Sequence, residues 1–125
     1  MGKFVIKESG KGFSFSLKAG NGEIVAAGSK IFNDAESVKA VIADVTASAA
    51  KAVIEDQTVE GFKEEKGAKF ELYSDKAGEF RFRLRNAAGD ILAVSEGYVK
   101  KDSAKNGIES VRKNAADSPV VEAEA

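Results

Sequence analysis

The chain has 125 residues, of which 43% are hydrophobic and 31% are charged, and its formal net charge is −1. This composition is typical of a folded globular protein rather than a disordered one. The sequence contains no cysteine, which excludes disulfides, thiol nucleophiles and cysteine-ligated metals. It contains no histidine either, which excludes serine–histidine and cysteine–histidine nucleophile pairs and the common zinc sites.

Charge and hydropathy also bear on location and partners. Neither half of the chain is basic overall, so its charge does not demand nucleic acid or an anionic membrane as a partner. The polar start at residues 1–7 is unlike a secretory signal, and no apolar run approaches the roughly 20 residues of a membrane helix. We therefore expect a cytoplasmic protein with no membrane partner.

The sequence contains one pattern twice. The matched segments share their order of apolar, polar and glycine residues: 3–6 with 69–72, 12–18 with 79–85, 21–24 with 88–91, and 37–45 with 103–111. Because the match covers nearly the whole chain, it predicts two tandem copies of one module. We place the first copy at 1–60, a linker at 61–67 and the second copy at 68–125.

The first copy is predicted to form three strands, a helix and a short last strand. Asn21-Gly22 is a strong signal for a tight hairpin between the second and third strands. Apolar residues then recur at i, i+4, i+7 and i+11, as on one face of a helix. They are Val38, Ile42, Val45 and Ala49. The segment 53–55 is predicted to form the last strand.

The second copy shows the same strands more clearly. Apolar residues alternate with polar ones in 69–73 and again in 80–85, which is the period of a half-buried strand. A turn at Ala88-Gly89 would pair Leu84 with Ala93 and Asn86 with Ile91. This register places Leu92, like Val25 in the first copy, on the sheet face opposite the core.

A helix is predicted to follow in the second copy. Asp102-Ser103 is its predicted N-cap, and residues 120–122 are predicted to form a short strand after it. The apolar stripe of this helix consists of Ala104, Ile108, Val111 and Ala115. Each sheet has one apolar face and each helix one apolar stripe, so we expect them to pack together.

Several segments of the second copy resemble the YegP-like family, which consists of small bacterial and archaeal proteins, often with two tandem copies. The segments are Gly78–Leu84, Ala88–Leu92, Ser95–Tyr98 and Asn106–Val111. The resemblance implies an α+β fold of two β3-α-β repeats with pseudo-twofold symmetry. In this fold an antiparallel sheet packs on two helices, and the C-terminal strands are exchanged between the repeats. The resemblance implies no established activity, cofactor or catalytic residue.

The first copy departs from this family pattern at two places. Ala40-Val41 stand where the second copy has Asn106-Gly107, and Ser14 and Ser16 stand where it has Arg81 and Arg83. A site built on those residues would therefore exist in one copy at most. The exchange of strands within one chain leads us to expect a monomer.

An arginine stripe is the first candidate binding surface. Arg81, Arg83 and Arg85 point from one face of one strand, and Lys69 and Tyr73 are expected beside them on the neighbouring strand. A basic strand with an aromatic residue can bind phosphates or single-stranded nucleic acid. The alternative is a solvated face, because Glu71 would lie opposite Arg81 or, with the register shifted by two, opposite Arg83.

Two further features are candidates for a contact surface. Leu92 and its neighbours form a strand that is apolar on both faces, which predicts either a central strand covered by the chain itself or an exposed groove for a partner. Gly107 inside a helix costs about 1 kcal/mol relative to alanine. It is explained either by a close contact between helix and sheet or by a polar notch formed with Asn106 and Tyr98.

Catalysis has little support in the sequence. Ser48 and Lys51, like Ser110 and Lys113, have the Ser-x-x-Lys spacing, but any short helix with these residues shows it. We therefore expect no enzyme, no cofactor and no metal. The leading hypothesis is a non-catalytic binding or structural module with an unknown protein or small-ligand partner. The alternative is nucleic-acid or anion binding through the arginine stripe.

Overall fold

The computed structural model describes residues 2–122, which form an eight-stranded sheet and two helices. The elements, numbered in chain order, are β1 Lys3–Ser9, β2 Gly12–Lys18, β3 Ile24–Gly28, α1 Ala35–Lys51, β4 Val53–Asp56, β5 Lys69–Ser74, β6 Phe80–Arg85, β7 Ile91–Val94, α2 Lys101–Asp117 and β8 Val120–Glu122. The ends of the two copies at residue 1 and at 123–125 lie outside the described residues. The bounds proposed for the copies and the linker stay a prediction.

The sheet joins the two copies and exchanges their last strands. Its strand order is β4-β5-β6-β7-β3-β2-β1-β8. The antiparallel strands β1–β3 and β5–β7 meet in the middle, where Ala27 pairs with Val94 and Gly28 with Ala93. At the edges, β4 of the first copy lies parallel to β5, and β8 of the second copy lies parallel to β1. The α+β fold with pseudo-twofold symmetry and exchanged strands is confirmed.

Helix length explains how the exchange is possible. Four strand spacings separate β3 from β4, which is about 19 Å across the sheet. Helix α1 has 17 residues and is therefore about 26 Å long. It packs on β5, β6 and β7 of the other copy on its way. Helix α2 also has 17 residues, and it makes the equivalent crossing from β7 to β8.

Both predicted helix stripes are buried against the sheet. Val38, Val45, Ile108 and Val111 have at most 1% of their surface exposed. On the sheet, the strand phenylalanines bury their rings in the same core, and the most deeply buried are Phe4, Phe15, Phe70 and Phe82. The predicted alternation of the middle strands is therefore confirmed.

The predicted positions of Leu92 and Val25 on the sheet are wrong. Leu84 pairs with Ala93 as expected, but the next pair is Arg85 with Ile91, so Leu92 is an extra, bulged residue. The bulge turns Leu92 into the core, where it is 5% exposed, rather than to the opposite face. The first copy has the same irregularity, because β3 skips Val25, which packs against the core. The expected pair of Asn86 with Ile91 is also absent.

The start of α2 differs from the prediction as well. The helix begins at Lys101 and its N-cap is Lys100, whose side chain forms no capping hydrogen bond. Asp102 instead lies in the first turn, where its charge complements the helix dipole. In the first copy, Asp34 is a true N-cap whose carboxylate accepts a 2.8 Å hydrogen bond from the Ser37 amide. This bond and one from the Ser37 side chain lower the pKa of Asp34.

Candidate functional site

The sheet face that the helices leave uncovered, called here the outer face, changes character between the copies. One row of cross-strand partners crosses all eight strands at the level where β3 and β7 meet. Its members are Val121, Val5, Ser16, Ala27, Val94, Arg83, Glu71 and Glu55. The first copy's end of the row is apolar or carries a hydroxyl, whereas the second copy's end is ionic.

The predicted arginine stripe exists on this face, together with its acidic partners. Arg81 pairs with Tyr73 and Arg83 pairs with Glu71, which selects the second of the two expected registers. The Glu71 carboxylate accepts hydrogen bonds from the Nε atoms of Arg83 and Arg85, the latter at 2.6 Å. Burial raises the pKa of Glu71, but the hydrogen bonds and charges of these two arginines outweigh it and the pKa is lowered.

Arg81, the third arginine of the stripe, is engaged as well, and Arg83 has a second partner in Tyr73. Arg81 donates from Nε to the Asp75 carboxylate at 2.7 Å, and this hydrogen bond lowers the pKa of Asp75 and raises that of Arg81. The Arg83 guanidinium lies over the Tyr73 ring, 4.5 Å from its centroid, which is a cation–π arrangement. Each arginine therefore has a carboxylate partner inside the chain.

Lys69 is not an exposed cation of this surface, because it is buried in an ion pair. Its ammonium group lies 2.8 Å from the Glu55 carboxylate, which has 1% of its side chain exposed. Glu55 also accepts from Gln57 and, at 2.7 Å, from the backbone amide of Glu65. The segment that joins the copies thus contacts the Glu55–Lys69 ion pair through the backbone of Glu65.

The pKa values follow from this burial and bonding. Burial raises the pKa of Glu55, but hydrogen bonds from Lys69, Gln57 and the Glu65 amide, with the charge of Lys69, lower it to about 2. The hydrogen bond to Glu55 raises the pKa of Lys69. Because Glu55 and Lys69 come from different copies, the sequence showed no local signal for their contact.

Gly107 marks a close approach of α2 to the sheet. A Cβ atom at this position would lie 2.7 Å from Tyr98 Oη and 2.9 Å from Phe82 Cε2. The Tyr98 and Phe82 rings stack with centroids 6.3 Å apart, and burial raises the pKa of Tyr98. Of the two explanations offered for Gly107, the close helix–sheet contact is the one present in the structure.

Asn106 faces a different feature, a cleft of about 580 Å³ between α2 and the β2–β3 turn, called here the α2 cleft. The wall on α2 carries Asn106, Ser110 and Asn114, spaced four residues apart on one helix face. The sequence indicates Asn106 as a site residue, but Ser110 enters it only as part of a Ser-x-x-Lys motif and Asn114 not at all. Their spacing of four was the available signal, and it was masked by the apolar stripe beside it.

Neither Ser-x-x-Lys motif forms a serine–lysine pair in the part of the chain described. The buried Ser48 hydroxyl donates to the Asp44 carboxylate at 2.9 Å, and Ser110 Oγ accepts from Asn114 Nδ2 at 3.1 Å. Within residues 2–122 no group of acidic side chains is arranged to hold a metal ion. None of the helices described is both long and apolar enough to cross a membrane.

The comparisons place the chain in a family. The family model described as a domain of unknown function (DUF1508) matches residues 8–56 and again residues 75–122. The chain belongs to this family. The two matches of DUF1508 agree with the two repeats, and the expected YegP-like membership is confirmed by the solution structure of the Escherichia coli protein yegP. That structure covers 97% of this chain and 91% of its own, with a TM-score of 0.77 and 28% identity.

Relatives of one-repeat length also occur. A UPF0339 protein from Treponema denticola is 56% identical over 54 residues, which span 43% of this chain and 93% of the relative. A UPF0339 protein from Methanosarcina acetivorans is 44% identical over 54 residues, with the same two shares. The UPF0339 protein SO3888 from Shewanella oneidensis shares the fold over 97% of this chain and 90% of its own, with a TM-score of 0.76 and 22% identity. These family names describe proteins of unknown function.

Proposed function

We propose that the chain is a small, non-catalytic binding module of a bacterial or archaeal cytoplasm. We further propose that it acts as a monomer and holds an extended, uncharged peptide segment in the α2 cleft. The observation that carries the proposal is Asn106, which lines this cleft. Its side chain is exposed, and the side-chain hydrogen bonds of α2 within residues 2–122 involve Arg112, Ser110, Asn114 and Ser118 but not Asn106.

The position of Asn106 is unfavourable for folding alone. Asparagine in a helix interior costs roughly 0.5–0.7 kcal/mol relative to alanine, and the glycine that follows costs about 1 kcal/mol more. The close contact with Tyr98 accounts for Gly107, whereas the Asn106 side chain is exposed on the cleft. An amide that can both donate and accept is instead suited to a polar ligand.

The chemistry of the cleft favours a peptide main chain. Its lining has amides and hydroxyls, and Glu109 and Lys113 oppose each other in charge. Residues four apart on a helix are about 6 Å apart along its axis, close to the 6.6–6.8 Å spanned by two residues of an extended peptide. The Asn106 amide, the Ser110 hydroxyl as a donor and Asn114 Oδ1 can therefore meet successive polar groups on one edge of a peptide, while Asn114 Nδ2 stays bonded to Ser110. The lining has no aromatic residue, which disfavours a sugar.

An NMR titration tests this function. We expect acetylated and amidated tetrapeptides without charged side chains to shift the amide signals of residues 106, 110 and 114. Asn106→Ala should reduce the affinity at least fivefold, because a bidentate amide contact is lost. Lys105→Ala, on the adjacent and exposed position of α2, is the matched control and should bind as the parent protein does. Shifts with a neutral oligosaccharide alone, or an unchanged Asn106→Ala variant, would refute the proposal.

The alternative proposal is nucleic-acid or anion binding through Arg81, Arg83 and Arg85. The shared face and the partial exposure of Arg81 support it. Against it stand Asp75 and Glu71, because an incoming phosphate would have to displace a carboxylate from each arginine. Such binding would weaken steeply as salt rises, whereas binding of a neutral peptide in the α2 cleft would not.

A further inference from the structure

The outer face of the first repeat carries three lysines without a carboxylate partner in the described part of the chain. On the equivalent surface of the second repeat, the basic residues are paired with carboxylates. Lys3 on β1 lies directly opposite Lys18 on β2, and Lys7 lies opposite Ser14. These residues alternate along the strands with Phe4, Ile6, Phe15 and Leu17, which are buried in the core. Lys3, Lys7 and Lys18 therefore point away from the helices, and we call them the lysine face.

The lysine face lacks the acidic residues that its counterpart has. In the second repeat Glu71 pairs with Arg83 on one side and Glu55 on the other. The corresponding residue of the first repeat is Val5, which pairs with Ser16 and Val121. No carboxylate among residues 2–122 lies within ion-pair distance of Lys3, Lys7 or Lys18.

The lysine pair on β1 and β2 lowers the stability of the fold, and no carboxylate of the described residues offsets this loss. Like charges directly opposite on neighbouring strands destabilise a sheet, and Lys3 and Lys18 are such a pair. The second repeat has the same like-charged pair in Lys69 and Arg85, but buried carboxylates lie beside it. An anion bound over Lys3 and Lys18 would supply the negative charge that Glu55 and Glu71 place beside Lys69 and Arg85.

We propose that the lysine face binds the phosphodiester backbone of single-stranded nucleic acid. Lys18 lies beside Lys3 across the sheet, whereas Lys7 lies four residues further along β1, which is about 13 Å, so no single phosphate can contact all three ammonium groups. Ile24 pairs with Lys18 on this face and is 41% exposed, which offers an apolar surface to an unstacked base. Such a face can lie along a single strand, and because β1 and β2 lie between β8 and β3 in the sheet, they cannot enter a duplex groove as a free two-stranded ribbon does.

The test is fluorescence anisotropy with a labelled twelve-nucleotide oligouridylate at several salt concentrations. Three phosphate contacts predict a slope of about −2 for the logarithm of affinity against the logarithm of salt. Replacing Lys3, Lys7 and Lys18 together with glutamine should lower the affinity at 50 mM salt at least tenfold and flatten the slope. The matched control is the triple glutamine variant of Lys51, Lys63 and Lys76, which are exposed elsewhere and change the net charge equally. Its affinity should change less than twofold.

Stability and a second probe complete the test. Urea unfolding should show the lysine-face variant to be at least as stable as the parent chain, since a like-charge pair is removed. Equal losses of affinity in both triple variants would reduce the effect to net charge and overturn the site. Absence of oligouridylate binding at 50 mM salt would overturn it too, as would preference for anionic lipid vesicles over the oligonucleotide. The peptide titration at the α2 cleft is unaffected by any of these results.

Discussion

Gly107 lies at a close contact of α2 with Tyr98 and Phe82, where a side chain would have no room at the present distance. A Cβ atom there would lie within 3.0 Å of both Tyr98 Oη and Phe82 Cε2. Helix propensity alone would favour alanine by about 1 kcal/mol. Overpacking a core typically costs 1–3 kcal/mol, so the contact outweighs the propensity.

We therefore expect Gly107→Ala to destabilise the protein by up to about 2 kcal/mol, measured by urea unfolding, because the gain in helix propensity offsets about 1 kcal/mol of the overpacking cost. In a Tyr98→Ala background the same change should cost less, because the nearest atom is gone and the Phe82 ring can move. The first copy supplies the control, since Val41 occupies the equivalent helix position and packs against the core. Val41→Gly should destabilise. A stabilised Gly107→Ala protein would show that the contact with Tyr98 does not limit packing.

At the scale of elements, α1 depends on α2 for the end of its hydrogen bonding. The chain turns straight from α1 into β4, with Ala52 already extended. Arg112 of α2 donates to the carbonyl oxygens of Ala49 at 3.2 Å and Ala52 at 2.7 Å. Its guanidinium also lies 5.3 Å from the centroid of the Phe70 ring. One side chain therefore satisfies helix-end carbonyls that would otherwise lack donors.

Replacing Arg112 with methionine should destabilise the protein by about 1.5–3 kcal/mol, because two carbonyls lose a charged donor. Arg112→Lys should recover part of this loss, since an ammonium group can still donate to one carbonyl. The measurement is urea unfolding, with hydrogen exchange of the β4 amides as a local readout. A methionine variant within 0.5 kcal/mol of the parent would show that the cap is dispensable.

How much of these elements the sequence could predict depends on whether the signal is local. Alternation and helix stripes are local, and they correctly gave the strands, the helices and the buried face of Phe82. The bulges at Val25 and Leu92 could not be predicted, because an extra residue is specified by the packing of both strands. The contact of Glu55 with Lys69 and the cap from Arg112 join distant residues, so no spacing reveals them.

The whole molecule has one sheet with two kinds of outer face, and this asymmetry bears on acid stability. The buried carboxylates Glu55 and Glu71 lie in the second copy's half, and both have lowered pKa values, that of Glu55 being about 2. A carboxylate with a depressed folded-state pKa contributes stability that is fully present above its unfolded pKa, about 4.5 for Glu55. That stability is lost as the pH falls towards 2.

Unfolding free energy should therefore fall on the order of 3 kcal/mol from Glu55 between about pH 5 and pH 2. Urea titrations at several pH values measure it. Glu55→Gln should lose less over the same range, although at pH 7 it should be less stable than the parent by about 3–5 kcal/mol, because Lys69 loses its buried partner. Equal slopes for the two proteins would contradict the assignment to Glu55.

Hydrogen exchange can then locate the loss within the sheet. The equivalent row of the first copy is Val121, Val5 and Ser16, which has no charge to titrate. After correction for intrinsic exchange, the protection of β5 amides should fall at least about tenfold between pH 5 and pH 2.5. The β1 and β2 amides should lose less, since within the sheet the two halves are joined by only two residue pairs between β3 and β7. Equal loss in both halves would mean that the helices, which pack on strands of both halves, couple them into one cooperative unit.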